Sequence, residues 1–232
     1  MGENFFSVIF YSLPILEGNY RELKKAIQRY LEPIATGEFL FDDEERIQTH
    51  INSSREIARL IHNYAAASFS LVDHTRAIKN KLKGHDEKEL RDFAFEYEEK
   101  LNESVKNSFE NLFVKDLRRY VQHKAVVVPS LQIKLTRVNF SNSSSEISQA
   151  EVKHSFELDS KQLQDFDWGR ASKEYIVSHR TIPVEEIIDK HFASIKEFYL
   201  WIQFRDTQLH PYASNSVKQS TFEEWKQQQN RA

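Results

Sequence analysis

The 232-residue sequence contains no cysteine, one methionine, and only five glycines and five prolines. Without thiols there can be no disulfide framework, zinc-thiolate centre or cysteine nucleophile, and a reducing cytoplasm is the expected home. With so few turn-forming residues, a many-stranded β fold gives way to long continuous elements. Neither sign of charge is in excess: 32 basic against 35 acidic residues leave a formal −3. That balance argues against a chain that coats nucleic acid or anionic membrane through bulk charge, while leaving room for a local basic groove. No apolar run reaches the roughly 20 residues of a membrane-spanning helix. The apolar start, with Phe5, Phe6, Val8, Ile9, Phe10 and Tyr11, lacks the basic flank and small-residue cleavage site of a signal peptide. It is expected to pack on the core of a soluble protein.

What is present is aromatic and helical. Phenylalanine (17) and tyrosine (9) dominate a chain that is 40% hydrophobic, enough for one well-buried core. The reading is mainly α: a helical bundle with a small antiparallel β ribbon and C-terminal helices, forming one domain over residues 1–210 with a polar tail at 211–232. Apolar residues recur at helical intervals from Gly18 to Leu31, and Pro33 is expected to stop that helix. The acidic run Asp42-Asp43-Glu44-Glu45 opens a stretch free of Gly and Pro that extends to Lys83 before Gly84, a very long helix or two nearly collinear ones. A third helical region starts near Asp86, with a break or bend around Asn107-Ser108. Phe109, Leu112, Phe113, Leu117, Tyr120 and Val121 then define another helix. The period changes to alternation after Ala125, which predicts a ribbon inserted at about 126–158 with a serine-rich loop at 141–150. A short helix is expected from Trp168 to Val177, and a longer one starting at Thr181 and Pro183 and running through Ile202.

Chemistry concentrates in Leu117-Arg118-Arg119-Tyr120-Val121-Gln122-His123. A permanently charged guanidinium beside an imidazole that titrates near neutrality suits phosphodiester chemistry if both reach one cleft. On an ideal helix, residues five apart point about 140° away from each other, so Arg118 and His123 converge only if the helix ends or tightens near Gln122. Arg119 and His123, at i and i+4, share a face without distortion. The same cations in a last helical turn also complement the negative end of the helix with no further role. Tyr120 sits in the apolar series and reads as core. The histidines show no metal-ligand spacing, so no metal and no cofactor is expected.

Arg118-x4-His123, taken with Ile61-His62-Asn63-Tyr64-Ala65-Ala66-Ala67-Ser68-Phe69-Ser70-Leu71-Val72-Asp73-His74-Thr75-Arg76, resembles the HEPN superfamily of helical proteins over roughly residues 40–125. The family's motif is Arg, four to six residues, then His, often with a small polar residue or His after the Arg; Arg119 departs from that pattern. Arg55/His62 and Arg205/His210 also satisfy the spacing, the latter pair being the runner-up site. The resemblance implies a metal-independent endoribonuclease of a bacterial toxin–antitoxin or antiphage type, working as a homodimer on RNA. In it His123 would take the proton of a 2′-hydroxyl and Arg118 would hold the phosphate. Arg119 would contact the phosphate as well, Asn63, Asp73 and His74 would line or brace the cleft, and an antitoxin or other protein partner is implied. The alternative is a non-catalytic HEPN-like interaction or accessory module that binds a protein partner or nucleotide.

Overall fold

The computed structural model describes residues 5–35, 44–138, 149–209 and 215–229. It is a helical bundle with a small antiparallel sheet and C-terminal helices. Helices α1 (Phe5–Ala35) and α2 (Glu44–Leu82) pack along each other, and α3 (Lys88–Leu101), α4 (Phe109–His123) and α7 (Val184–Leu209) complete the bundle. A single wide π turn at Asn102–Lys106 joins α3 to α4. Strands β1 (Ser130–Val138) and β2 (Gln149–Asp159) pair antiparallel with Leu131 opposite Phe156, and α5 (Ser160–Leu163) and α6 (Arg170–Ser178) follow. The short strand β3 (Thr181–Ile182) adds to β2, with Leu158 opposite Ile182. Helices α8 (Asn215–Gln219) and α9 (Phe222–Gln229) end the described chain.

The long second helix matches its apolar stripe. Ile57, Leu60, Ile61, Tyr64, Ala65 and Leu71 are all buried on a helix that packs against α1, α4 and α3. Helix α4 begins where the sequence pattern bends, because Ser108 adopts an extended backbone and its hydroxyl accepts the Asn111 N–H at 3.3 Å. Tyr120 is core as expected: it is buried, stacks on Trp168 and donates to the Gln162 carbonyl at 2.9 Å.

Three expectations are revised. The first helix starts at Phe5 and continues through Pro14 and Gly18 to Ala35, rather than spanning Gly18 to a stop at Pro33. Proline costs an interior helix about 3 kcal/mol, but Pro14 lies on the exposed side, and burial of the flanking Leu13 and Leu16 is worth a comparable amount. The ribbon starts at Ser130, and Thr181 and Ile182 make it three-stranded, so the last long helix starts at Val184. The polar tail docks on the bundle. Thr221 and Glu224 cap each other's backbone at the start of α9, and Trp225 is buried against Phe204. The serine-rich loop lies outside the described residues except at its last two positions, Gln149 and Ala150, which belong to β2.

Two sets of buried polar groups cross the core. Thr75 of α2 lies 3.0 Å from the Tyr199 hydroxyl of α7 and accepts the Tyr97 hydroxyl of α3 at 3.3 Å. Below them, the Tyr64 hydroxyl sits 2.7 Å from Nδ1 of His191, which is 1% exposed. Burial holds the His191 pKa down at about 4, so the imidazole is neutral at physiological pH.

Candidate functional site

Helices α2 and α4, the π turn and α7 enclose a cleft of about 390 Å³. It follows from packing periods: Phe69 and Arg76 lie two turns apart on one face of α2, while Asn111, Lys115 and Arg118 share a face of α4. The walls are largely apolar, with Val72, Leu112, Val114, Ile195 and Phe198. The floor carries hydroxyls of Ser68, Tyr97 and Tyr199 and the neutral His191.

Charge on the lining is one-sided. Among the described residues, Arg76, Lys79, Lys106, Lys115 and Arg118 share the lining with a single carboxylate, Glu98, in a chain whose overall charge is −3. Arg76 is paired with Asp73 at 3.0 Å, and Lys79 with Glu98 at 3.6 Å. Lys106 and Lys115 are exposed and make no ion pair among the described residues.

Arg118 is different from the other four. Its guanidinium carbon lies 3.7 Å from the centre of the Phe69 ring, a close cation–π stack. Its Nε is buried with no hydrogen-bond partner among the described residues. A stranded donor on a charged group costs about 1–3 kcal/mol or more, and native proteins rarely leave one. An acceptor oxygen arriving in the cleft would relieve it, given a small rotation of the guanidinium.

The sequence-derived site residues are dispersed. Arg118 lines the cleft, but α4 stays helical to His123, and Lys124 N–H closes its last turn on the Tyr120 carbonyl at 2.8 Å. The tightening that would swing His123 beside Arg118 therefore does not occur; His123 is exposed and outside the cleft lining. Arg119 reaches Asp116 of its own helix at 3.4 Å, and Asp167 at 3.8 Å and the Phe166 ring in the segment between α5 and α6. Asn63, Asp73 and His74 also lie off the cleft lining; Asp73 holds Arg76, and the His74 Nδ1 is 3.0 Å from the Ser12 hydroxyl. Arg205 of the runner-up pair is committed to Glu96 through two bonds of 2.8 and 2.9 Å, and His210 lies outside the described residues. Arg55 is exposed and His62 half-buried on α2.

Sequence reasoning missed Phe69, Lys106, Lys115 and His191 as parts of a cleft. The available signal was the seven-residue spacing of Phe69 and Arg76 on α2, an aromatic and a cation on one line. In comparisons with protein-family models, curated proteins and solved structures, nothing matches the chain. Among the described residues no helix is long and apolar enough to cross a membrane, and no group of three or more His, Asp or Glu side chains could hold a metal ion.

Proposed function

We propose that this chain is a binding module for an anionic ligand seated in the Arg118 cleft, and that a single copy does not cleave RNA. The observation that carries the reading is the buried, unpartnered Nε of Arg118 in a cleft lined by five cations and one carboxylate. A fixed guanidinium offering parallel N–H groups is the side chain best shaped for a two-oxygen anion. Catalysis would also need a proton acceptor within hydrogen-bond reach of the same ligand; His191 at the floor is neutral but engaged with Tyr64, and His123 lies outside. Thermal unfolding of the full chain in the presence of inorganic phosphate, AMP, a ten-nucleotide RNA and decanoate tests this. At least one anion should raise the midpoint, and Arg118→Met should abolish the rise. A chain indifferent to all four overturns the reading.

A second reading keeps the ribonuclease expected from the HEPN resemblance. One observation favours it: His123 is exposed at the end of α4 and is free to meet Arg118 of a second copy across a two-fold axis. It requires a homodimer and RNA cleavage that is lost in His123→Ala while dimerisation persists. Cleavage by a His123→Ala dimer at the wild-type rate removes it.

A further inference from the structure

Resting on the reading of the cleft as an anion site, we infer that its ligand is a monocarboxylate with an apolar body, acyl or aryl, rather than a sugar phosphate. The distribution of partners points there. Of the five lining cations, Arg76 and Lys79 already have carboxylates of their own, and Lys106 and Lys115 stand in solvent on the rim. Of the five, only Arg118, half-buried, carries a buried donor with no acceptor among the described residues. One cation of that kind matches one oxyanion.

The rest of the cavity selects the body. Phe69, Val72, Leu112, Val114, Ile195 and Phe198 present hydrocarbon, which gains by burying hydrocarbon and gives nothing to a ribose with hydroxyls to satisfy. Two of the three hydroxyls on the floor are taken, Tyr97 and Tyr199 being joined through Thr75, and the His191 imidazole is engaged by Tyr64, which leaves Ser68 alone against the several hydroxyls of a ribose. A cleft of about 390 Å³ falls in the range that encloses a small organic molecule. In the complex the carboxylate takes two parallel N–H bonds from the Arg118 guanidinium, one of them from Nε, and the chain or ring lies between Leu112 of α4 and Phe198 of α7.

Isothermal titration calorimetry on the full chain tests this with decanoate below its micellisation range, 2-naphthoate, decanol, inorganic phosphate and AMP. Decanoate or naphthoate should bind more tightly than AMP or phosphate, and whichever of the two is tighter decides between an acyl and an aryl source. Decanol, lacking the charge, and Arg118→Met with either carboxylate should each show roughly a tenfold to hundredfold loss. Leu112→Trp fills the cavity without touching Arg118 and should lose binding equally, while circular dichroism confirms that each variant is folded. Tighter, Arg118-dependent binding of AMP or phosphate overturns the ligand class and leaves the cleft as an anion site. Absence of any Arg118-dependent binding overturns both.

Discussion

The Arg118 guanidinium lies 3.7 Å above the centre of the Phe69 ring, and its Nε is buried with no acceptor among the described residues. The aromatic face returns part of the lost hydration, about 0.5–2 kcal/mol, but cannot accept the in-plane N–H. A charge held this way is poised for an incoming partner.

The first prediction concerns the free protein. In Arg118→Met the stem's packing is kept and a sulfur–aromatic contact of about 0.3–1.5 kcal/mol replaces the cation–π stack. Removal of the stranded donor then decides the sign, and stability should be unchanged or higher by about 1 kcal/mol. Urea denaturation measures it. A loss of more than about 1 kcal/mol would show that the guanidinium has a structural partner in solution.

The second prediction concerns the join between α4 and α6. Asp116, 5% exposed, accepts the Gly169 N–H at 3.0 Å and the Ser172 hydroxyl at 2.7 Å. A Cβ added at residue 169 would stand 2.7 Å from the Asp116 Oδ2, and a short side chain pinned by Ser172 cannot swing away. Gly169→Ala should cost about 1–3 kcal/mol, and with Asp116→Ala in the same chain the two losses should sum to less than their separate values. Strict additivity in a double-mutant cycle would contradict the contact.

The third prediction is a pH dependence. His191 has a pKa of about 4 folded against an ordinary 6.5, so between those values the unfolded chain binds the extra proton. Stability is therefore full above pH 6.5 and falls as pH drops toward 4, by roughly 3 kcal/mol from this one group. His191→Gln, which keeps a polar partner for Tyr64, should flatten the slope of stability against pH in that window. An unchanged slope would place the origin elsewhere.

Much of the bundle was legible because helices α2 and α4 carry broad apolar faces and clear ends: Gly84 after the former, Ser108 before the latter. The start of α1 was not, since Pro14 and Gly18 read locally as breakers and only tertiary burial of Leu13 and Leu16 overrides them. Two-residue β3 is too short to show a period. Arg118 stood out as a cation beside an apolar stripe. What it faces depends on which side of α2 packs against it, a fact of assembly that no local pattern encodes. The direction of His123 hung on whether the helix ended one turn early, within the usual uncertainty of helix ends.

The fourth prediction addresses the C-terminal helices. Trp225 is buried against Phe204, while the Lys226–Glu197 pair is surface-exposed and contributes little. Trp225→Ala should release α9 and expose Phe204, at about 2–3 kcal/mol, and bring rapid proteolytic cleavage near residue 220. Lys226→Ala should leave the cleavage rate close to wild type. Equal sensitivity in the two variants would mean the ion pair, not the indole, holds the segment.

The hydroxyls of Thr75, Tyr97 and Tyr199 fix the register of α2. A helix of 39 residues meeting its neighbours only through hydrocarbon could creep by a turn along them at small cost, since one greasy ridge resembles the next. Those three oxygens act as a ratchet pawl: any slip of α2 past α3 or α7 would tear two hydrogen bonds in a place water cannot mend. The placing of Phe69 relative to Tyr97 and Tyr199 across the cleft thus inherits its sharpness from a threonine nearly two turns away.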